Sequence, residues 1–222
     1  MKEFFITATD TDAGKTYVAR ALVTALVNQG KKVAVYKPVS AGCELINGEL
    51  VNEDASFLQA GANCRQSIAQ VNPIAFAEPI APHIAAEKSA QPIALSDIQD
   101  GYEQVKGQGG DIVITEGAGG WRLPLGQGRY LSEFVQQAGL QVILVVNMKL
   151  GCLNHARLTY EAIAADGLEC VGWVANSLQE MPYLEENIAE LCRLLPMPLI
   201  ARLGYNQDIN KAAALIDTSV LV

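Results

Sequence analysis

The sequence predicts an α/β fold in one domain, built as a mostly parallel sheet with helices on both faces. Short apolar runs alternate with longer stretches of helical period, the order that right-handed βαβ units produce. These runs are near-continuous rather than alternating, which is what strands covered on both faces require. Half of the 222 residues are hydrophobic, 19 are glycine and 6% are aromatic, a mix that packs helices closely on a sheet.

Each element follows in chain order. The first strand is "FFITA" (4–8), and a helix over 15–28 is closed by Gly30. The second strand is "KVAVYK" (32–37). From Ser40 to Leu95 the chain makes a long excursion with only short helices, because "VNPIAFAEPIAPHIAAE" carries three prolines. Long ordered excursions in compact domains usually serve ligands. A helix over about 96–106, opened by Ser96 and Asp97, precedes the third strand "DIVIT" (111–115). The rest alternates: helix 131–138 closed by Gly139, strand "QVILVV" (141–146), helix about 154–165 closed by Gly167, strand "CVGWVA" (170–175), helix 181–194 and strand "PLIARL" (198–203). No linker interrupts this series, so 1–222 reads as a single domain.

Composition removes several classes of function. A net charge of -8, with 16 Lys and Arg scattered along the chain, repels phosphate backbones and argues against a nucleic-acid partner. No apolar run reaches the roughly 18 residues of a membrane span, and "MKEFFITATD" turns polar too soon for a signal peptide, so a cytoplasmic location is expected. Five dispersed cysteines without a C-x-x-C pair indicate reduced thiols rather than disulfides or a zinc cage. His83 and His155 are too few for a multi-histidine metal site.

Ligands of a parallel sheet bind beyond the carboxyl ends of its strands, and those ends are chemically loaded here. After the first strand, "TDTDAGKT" (9–16) runs into a helix, where free N–H groups and the helix dipole favour an anion. Lys15 would reach the β and γ phosphates and the Thr16 hydroxyl would ligate magnesium. The strict phosphate-loop pattern asks for glycine at position 9, where this chain has Thr9. The strand-turn-helix context nevertheless keeps the backbone donors, so a nucleoside triphosphate is expected.

Glu116 follows the third strand as a Walker-B acid does, and magnesium takes one or two carboxylates plus phosphate oxygens. The glycine-dense "EGAGG" (116–120) lets a ligand approach the backbone closely. A helix cap or a solvated turn acid is the alternative for Glu116. After the second strand, Pro38 holds Lys37 extended and directs its ammonium toward the cleft of Lys15; a solvated strand-end lysine is the alternative. Two cations there imply a second anion forming beside the γ-phosphate. After the fourth strand, Gly151 to Asn154 lead into a helix whose N-terminus could hold a carboxylate, while Cys152 has no base paired with it in sequence. After the fifth, Asn176 could pair with the edge of a base or simply form a turn.

Taken together and in this order, "TDTDAGKT", "KPVSAG", "EGAGGW", "KLGCLNHA" and "GWVAN" resemble the dethiobiotin synthetase family, from residue 4 to about residue 203. The segment "VNPIAFAEPIAPH" is similar to that family as well. The resemblance implies a P-loop NTPase-like fold and a homodimeric, magnesium-dependent ligase. Such an enzyme closes a cyclic urea on 7,8-diaminononanoate with CO2 and converts ATP to ADP and phosphate. Carried over by motif, Lys37, Lys15 and Thr11 become catalytic, and Thr16, Asp54 and Glu116 become magnesium ligands. Asp12, Ala13, Gly14, Lys15, Thr16, Tyr17, Gly117, Ala118 and Gly119 line the ATP site together with Asp54 and Glu116, and Asn176 faces adenine. Ser40 and Ala41 meet the substrate, and Gly151, Cys152, Leu153 and Asn154 hold its carboxylate tail near the subunit interface. Asp54 comes from the resemblance alone.

Three positions depart from the family pattern. Ala8 stands where its loop begins with glycine, Ala41 stands where it has serine, and "RLGYN" (202–206), near the expected adenine site, differs. Nucleotide selectivity is left open by these differences. The competing reading is a P-loop ATPase switch, or an inactive paralogue that binds nucleotide without ligase activity.

Overall fold

Six parallel strands form the central sheet of the computed structural model, which describes residues 1–204 and 207–221. Tyr205 and Asn206, part of the segment expected near adenine, lie outside the described residues, as does Val222. The chain opens with β1 (Lys2–Ala8), α1 (Lys15–Asn28) and β2 (Val33–Tyr36). The excursion then holds β3 (Val39–Ser40), β4 (Glu44–Ile46), β5 (Glu49–Val51), α2 (Glu53–Gly61), α3 (Ile68–Val71), β6 (Ile74–Ala75) and α4 (Pro82–Lys88). The chain continues through α5 (Leu95–Lys106), β7 (Ile112–Glu116), β8 (Pro124–Gly126), β9 (Arg129–Tyr130), α6 (Leu131–Ala138) and β10 (Gln141–Asn147). It ends with α7 (Cys152–Ala165), β11 (Cys170–Asn176), α8 (Leu184–Leu194), β12 (Leu199–Leu203) and α9 (Ile209–Ala214).

The central sheet has the order β12-β11-β10-β1-β7-β2, with every neighbouring pair parallel. Alternate side chains of each strand enter different cores, as the pleat demands. Phe4, Ile6 and Ile114 pack under α1 and α9, whereas Phe5 and Val113 pack with Ile98, Tyr102 and Phe134 of α5 and α6. A third cluster joins Leu144, Val146 and Trp173 to α7 and α8. Covered on both faces, β7 is buried along its whole length. Among the described residues no helix is long and apolar enough to cross a membrane.

Several boundaries differ from the sequence expectation for local reasons. Ser96 and Asp97 do not open α5, whose N-cap is Ala94; they lie in its first turn, where Asp97 still complements the helix dipole. Helix α7 begins at Cys152 because Gly151, at φ 94, turns the chain earlier. Helix α8 begins at Leu184 after Tyr183, at φ 57. The excursion carries strands as well as short helices. Asn47 and Gly48, both at positive φ, turn β4 into β5, and β3 pairs with β6.

Candidate active site

Beyond the carboxyl ends of β1, β2 and β7 lies a cleft of about 750 Å³. Its wall includes Thr11, Asp12, Gly14, Lys15, Thr16 and Tyr17 from the loop and start of α1, with Lys37, Ser40 and Ala41 following β2. Asp54, Glu116, Gly117, Ala118 and Gly119 complete the predicted residues that the fold brings together there.

The loop is braced from below. Ala8 ends β1, fully buried, and neither Ala8 nor Thr9 adopts positive φ, so this backbone has no need of glycine at either place. Thr9 N–H donates to Val145 O at 3.0 Å and its hydroxyl accepts from Asn147 N–H at 3.4 Å, tying the loop to β10. Gly14, at φ 80, caps α1. A Cβ at that position would stand 2.2 Å from Asn176 Nδ2, the atom that donates to Ala13 O at 2.8 Å. Asn176 therefore lies buried beneath the loop rather than on the cleft wall, and its Oδ1 has no partner among the described residues.

At the floor, two lysines meet two acids. Lys15 Nζ donates to Gly119 O at 2.6 Å. Burial pulls its ammonium below the ordinary lysine value, Glu116 opposing this and Lys37 adding to it. Glu116 Oε1 accepts from Thr16 Oγ1 and from Lys37 Nζ, each at 2.8 Å, while the buried Oε2 has no partner among the described residues. Lys37 Nζ also lies 3.2 Å from Asp54 Oδ2. Burial alone would lower the Lys37 value, but Glu116 and Asp54 outweigh it and hold the ammonium charged.

Asp54 reaches this floor because Asn52 caps α2, its side-chain oxygen accepting from Ala55 N–H at 3.2 Å. Among the described residues no three His, Cys, Asp or Glu side chains could form a metal cage. Thr16, Asp54 and Glu116 instead offer an incomplete set of hard oxygens, the kind magnesium completes with phosphate oxygens and water.

Other predicted residues are placed differently. Ser40 reaches the cleft, but its hydroxyl donates to Asn72 Oδ1 at 2.6 Å. Tyr17 donates to Gln207 O at 3.0 Å and borders a side pocket with Arg20 and Phe57. Gly151, Cys152, Leu153 and Asn154 lie outside this cleft, at the start of α7, and the adjoining Leu150 is 96% exposed. Burial raises the Cys152 thiol, which keeps it from being a thiolate. Sequence reasoning missed Asn52, Leu178 and the wall from Pro79 to Pro82. Only the proline spacing of "FAEPIAPH" signalled that last segment.

The glycine turn has its own anchor. Arg122 binds Asp166 through both terminal guanidinium nitrogens, with Nη2 to Oδ1 at 2.8 Å, and Trp121 Nε1 donates to Oδ2 at 2.8 Å. Burial would raise the Asp166 carboxyl; these donors overcome it and hold the carboxyl below its ordinary range.

Comparison with known proteins agrees with this geometry. A family model described as an AAA domain matches residues 2–213. The ATP-dependent dethiobiotin synthetase BioD of Alteromonas mediterranea is 46% identical over 226 residues, covering 97% of each chain. That of Aeromonas salmonicida is 48% identical over 206 residues, covering 92% of this chain and 91% of the relative.

Among solved structures, the septum site-determining protein MinD of Pyrococcus horikoshii, complexed with Mg-ADP, aligns with TM-score 0.59 at 18% identity, over 96% of this chain and 84% of that one. A ParA family ATPase from Chlorobium tepidum gives 0.57 at 14% identity, over 99% and 91%. These likenesses show the fold alone, that of the P-loop NTPases. Near-full-length identity to the synthetases shows more: the chain belongs to the ATP-dependent dethiobiotin synthetase family, a family of ligases.

Proposed function

We propose that this chain, acting as one catalytic domain, carboxylates 7,8-diaminononanoate with CO2 and closes the ureido ring of dethiobiotin, in a magnesium-dependent reaction that yields ADP and phosphate. The observation that carries this reading is the presence of Lys15 and Lys37 at one cleft floor, Lys37 ion-paired with Glu116 and Asp54. One cation would serve the triphosphate, and the other remains for a second anion.

In the proposed sequence a neutral amine of the substrate captures CO2 and loses a proton, giving a carbamate. A carbamate oxygen then attacks the γ-phosphorus and ADP departs. The second amine attacks the carbamoyl carbon of the resulting carbamic-phosphoric anhydride and loses a proton; the C–O bond breaks, phosphate leaves, and the ring is closed. Lys37 offsets charge on the carbamate, while Lys15 and the N–H groups of the loop offset charge on the transferring phosphoryl group. Thr16, Asp54 and Glu116 would hold Mg2+, which neutralises charge on the β and γ phosphates when bound; the buried Glu116 Oε2, without a partner among the described residues, is an oxygen suited to it.

The substrate carboxylate is assigned to the "GCLN" turn (151–154) of a second copy of the chain. That turn lies outside the cleft of its own chain, and the exposed Leu150 and Leu158 lie on the same turn and helix. A homodimer accounts for both observations.

The test mixes the protein with Mg2+, ATP, bicarbonate and 7,8-diaminononanoate and follows phosphate and a product of dethiobiotin mass. Both should appear together, and only when the diamine is present. Phosphate without diamine and without product would instead support an ATPase switch.

A further inference from the structure

Lys37 lies just past the end of β2, the edge strand, whose sheet partner among the described residues is β7. The sheet therefore does not hold its backbone; the excursion does. Lys37 N–H donates to Val71 O at 2.7 Å, and Lys37 O accepts from Asn72 Nδ2 at 2.6 Å. Two consecutive residues, far away in sequence, thus satisfy both main-chain groups of Lys37.

The other end of the Asn72 amide is also engaged. Its Oδ1 accepts from Ser40 Oγ at 2.6 Å, and that hydroxyl lies 3.1 Å from Cys43 Sγ. Asn72 is 5% exposed, Ser40 2% and Lys37 3%, so water does not substitute for these bonds. Ile74 N–H to Pro38 O, at 3.3 Å, continues the same seam.

The arrangement asks for one donor and one acceptor in a single planar group, which asparagine supplies. Aspartate would set an acceptor against the Lys37 carbonyl, and alanine would leave that carbonyl buried and unpaired. Pro73 disfavours the helical region for Asn72, whose backbone stands at φ -134 and ψ 80.

We infer that Asn72 is a positioning residue for Lys37, holding the main chain from which the ammonium reaches the carbamate, and that Ser40 serves this clamp rather than the substrate. The inference rests on the reading of Lys37 as the lysine of the carbamate. It belongs to a step in which displacement by about 1 Å can cost on the order of a hundredfold in rate.

The experiment compares wild type with Asn72→Ala, Asn72→Asp, Ser40→Ala and Lys37→Ala in steady-state dethiobiotin formation, ATP affinity and thermal midpoint. Asn72→Ala and Asn72→Asp should lower kcat by roughly ten- to a hundredfold. Their KM for ATP should stay within about twofold, since the phosphate loop belongs to other elements. Ser40→Ala, which leaves the bond to Lys37 O intact, should lose roughly two- to fivefold.

If Lys37→Ala retains turnover, the reading of Lys37 fails and the clamp loses its purpose. If Lys37→Ala is inactive while both Asn72 variants keep the wild-type kcat, only the clamp is overturned. Loss of ATP affinity in step with kcat, or failure of both Asn72 variants to fold, would make Asn72 a general structural residue and would also overturn it. Should Asn72→Ala alone be too unstable to purify, Asn72→Asp decides, because it keeps the size and the acceptor for Ser40.

Discussion

Lys37 Nζ and Glu116 Oε1 lie 2.8 Å apart, both side chains nearly free of solvent. The same carboxylate oxygen receives Thr16 Oγ1, so one acid links Lys37 to the start of α1. Lys37→Ala removes the cation without altering the loop, which belongs to β1 and α1. It is expected to abolish ring closure while ATP binding, measured by calorimetry, changes by less than about threefold. Wild-type turnover in this variant would remove the carbamate role.

Glu116→Gln keeps the shape and one side-chain oxygen but takes away the charge. Magnesium favours carboxylate oxygen over neutral amide oxygen at such a site, so the concentration required for half-maximal rate should rise by roughly tenfold or more. A magnesium titration indistinguishable from wild type would show that Glu116 is not a ligand.

Asp166 anchors Trp121 and Arg122, which follow the glycine turn that begins at Glu116. Because its folded carboxyl is held below the ordinary value of 3.8, its bonds to Arg122 and Trp121 stabilise the fold above that pH and lose their effect as pH falls through the lower, folded value. Asp166→Asn is expected to cost about 1–2 kcal/mol at pH 7, toward the low end because Arg122 is 42% exposed. Urea unfolding at pH 7 and near pH 3 checks this: the gap between variant and wild type should narrow in acid. A gap of constant size would exclude the carboxylate as its source.

The parts legible in the sequence are those that local order dictates. The apolar run 111–115 announces a strand, and Glu116 falls at its carboxyl end whatever the rest of the chain does. The same reasoning finds the Gly14-Lys15-Thr16 turn, and it explains why Ala8 is tolerated, since the strand simply continues through that residue. Asp54 was legible only by resemblance, because its position depends on the Asn47-Gly48 hairpin and the Asn52 cap acting together. Asn72 carried no local signal at all: its partners, Lys37 O and Ser40 Oγ, lie more than thirty residues away in sequence. Asn176 was legible as a strand-end polar residue, yet its contact with Ala13 O arises from the packing of β11 beneath the loop.

Gly14 gives the sharpest test of that packing. At φ 80 the residue occupies the left-handed region, where any other L-residue pays about 1–2 kcal/mol. A Cβ there would also lie 2.2 Å from Asn176 Nδ2 and 3.2 Å from Leu178 Cδ2, inside any allowed contact with the first. In Gly14→Ala, therefore, either the Asn176 amide gives up Ala13 O or the loop lifts away from β11. Both displace the loop N–H groups proposed to bind the phosphates, so ATP affinity should fall by about tenfold or more. The sheet, buried elsewhere, should keep its fold. Circular dichroism should match wild type while calorimetry shows the weaker nucleotide. If Asn176→Ala is then combined with Gly14→Ala, the space left by the amide should restore part of the lost affinity. No recovery in the double variant would place the cost in the backbone angle alone and not in the contact with Asn176.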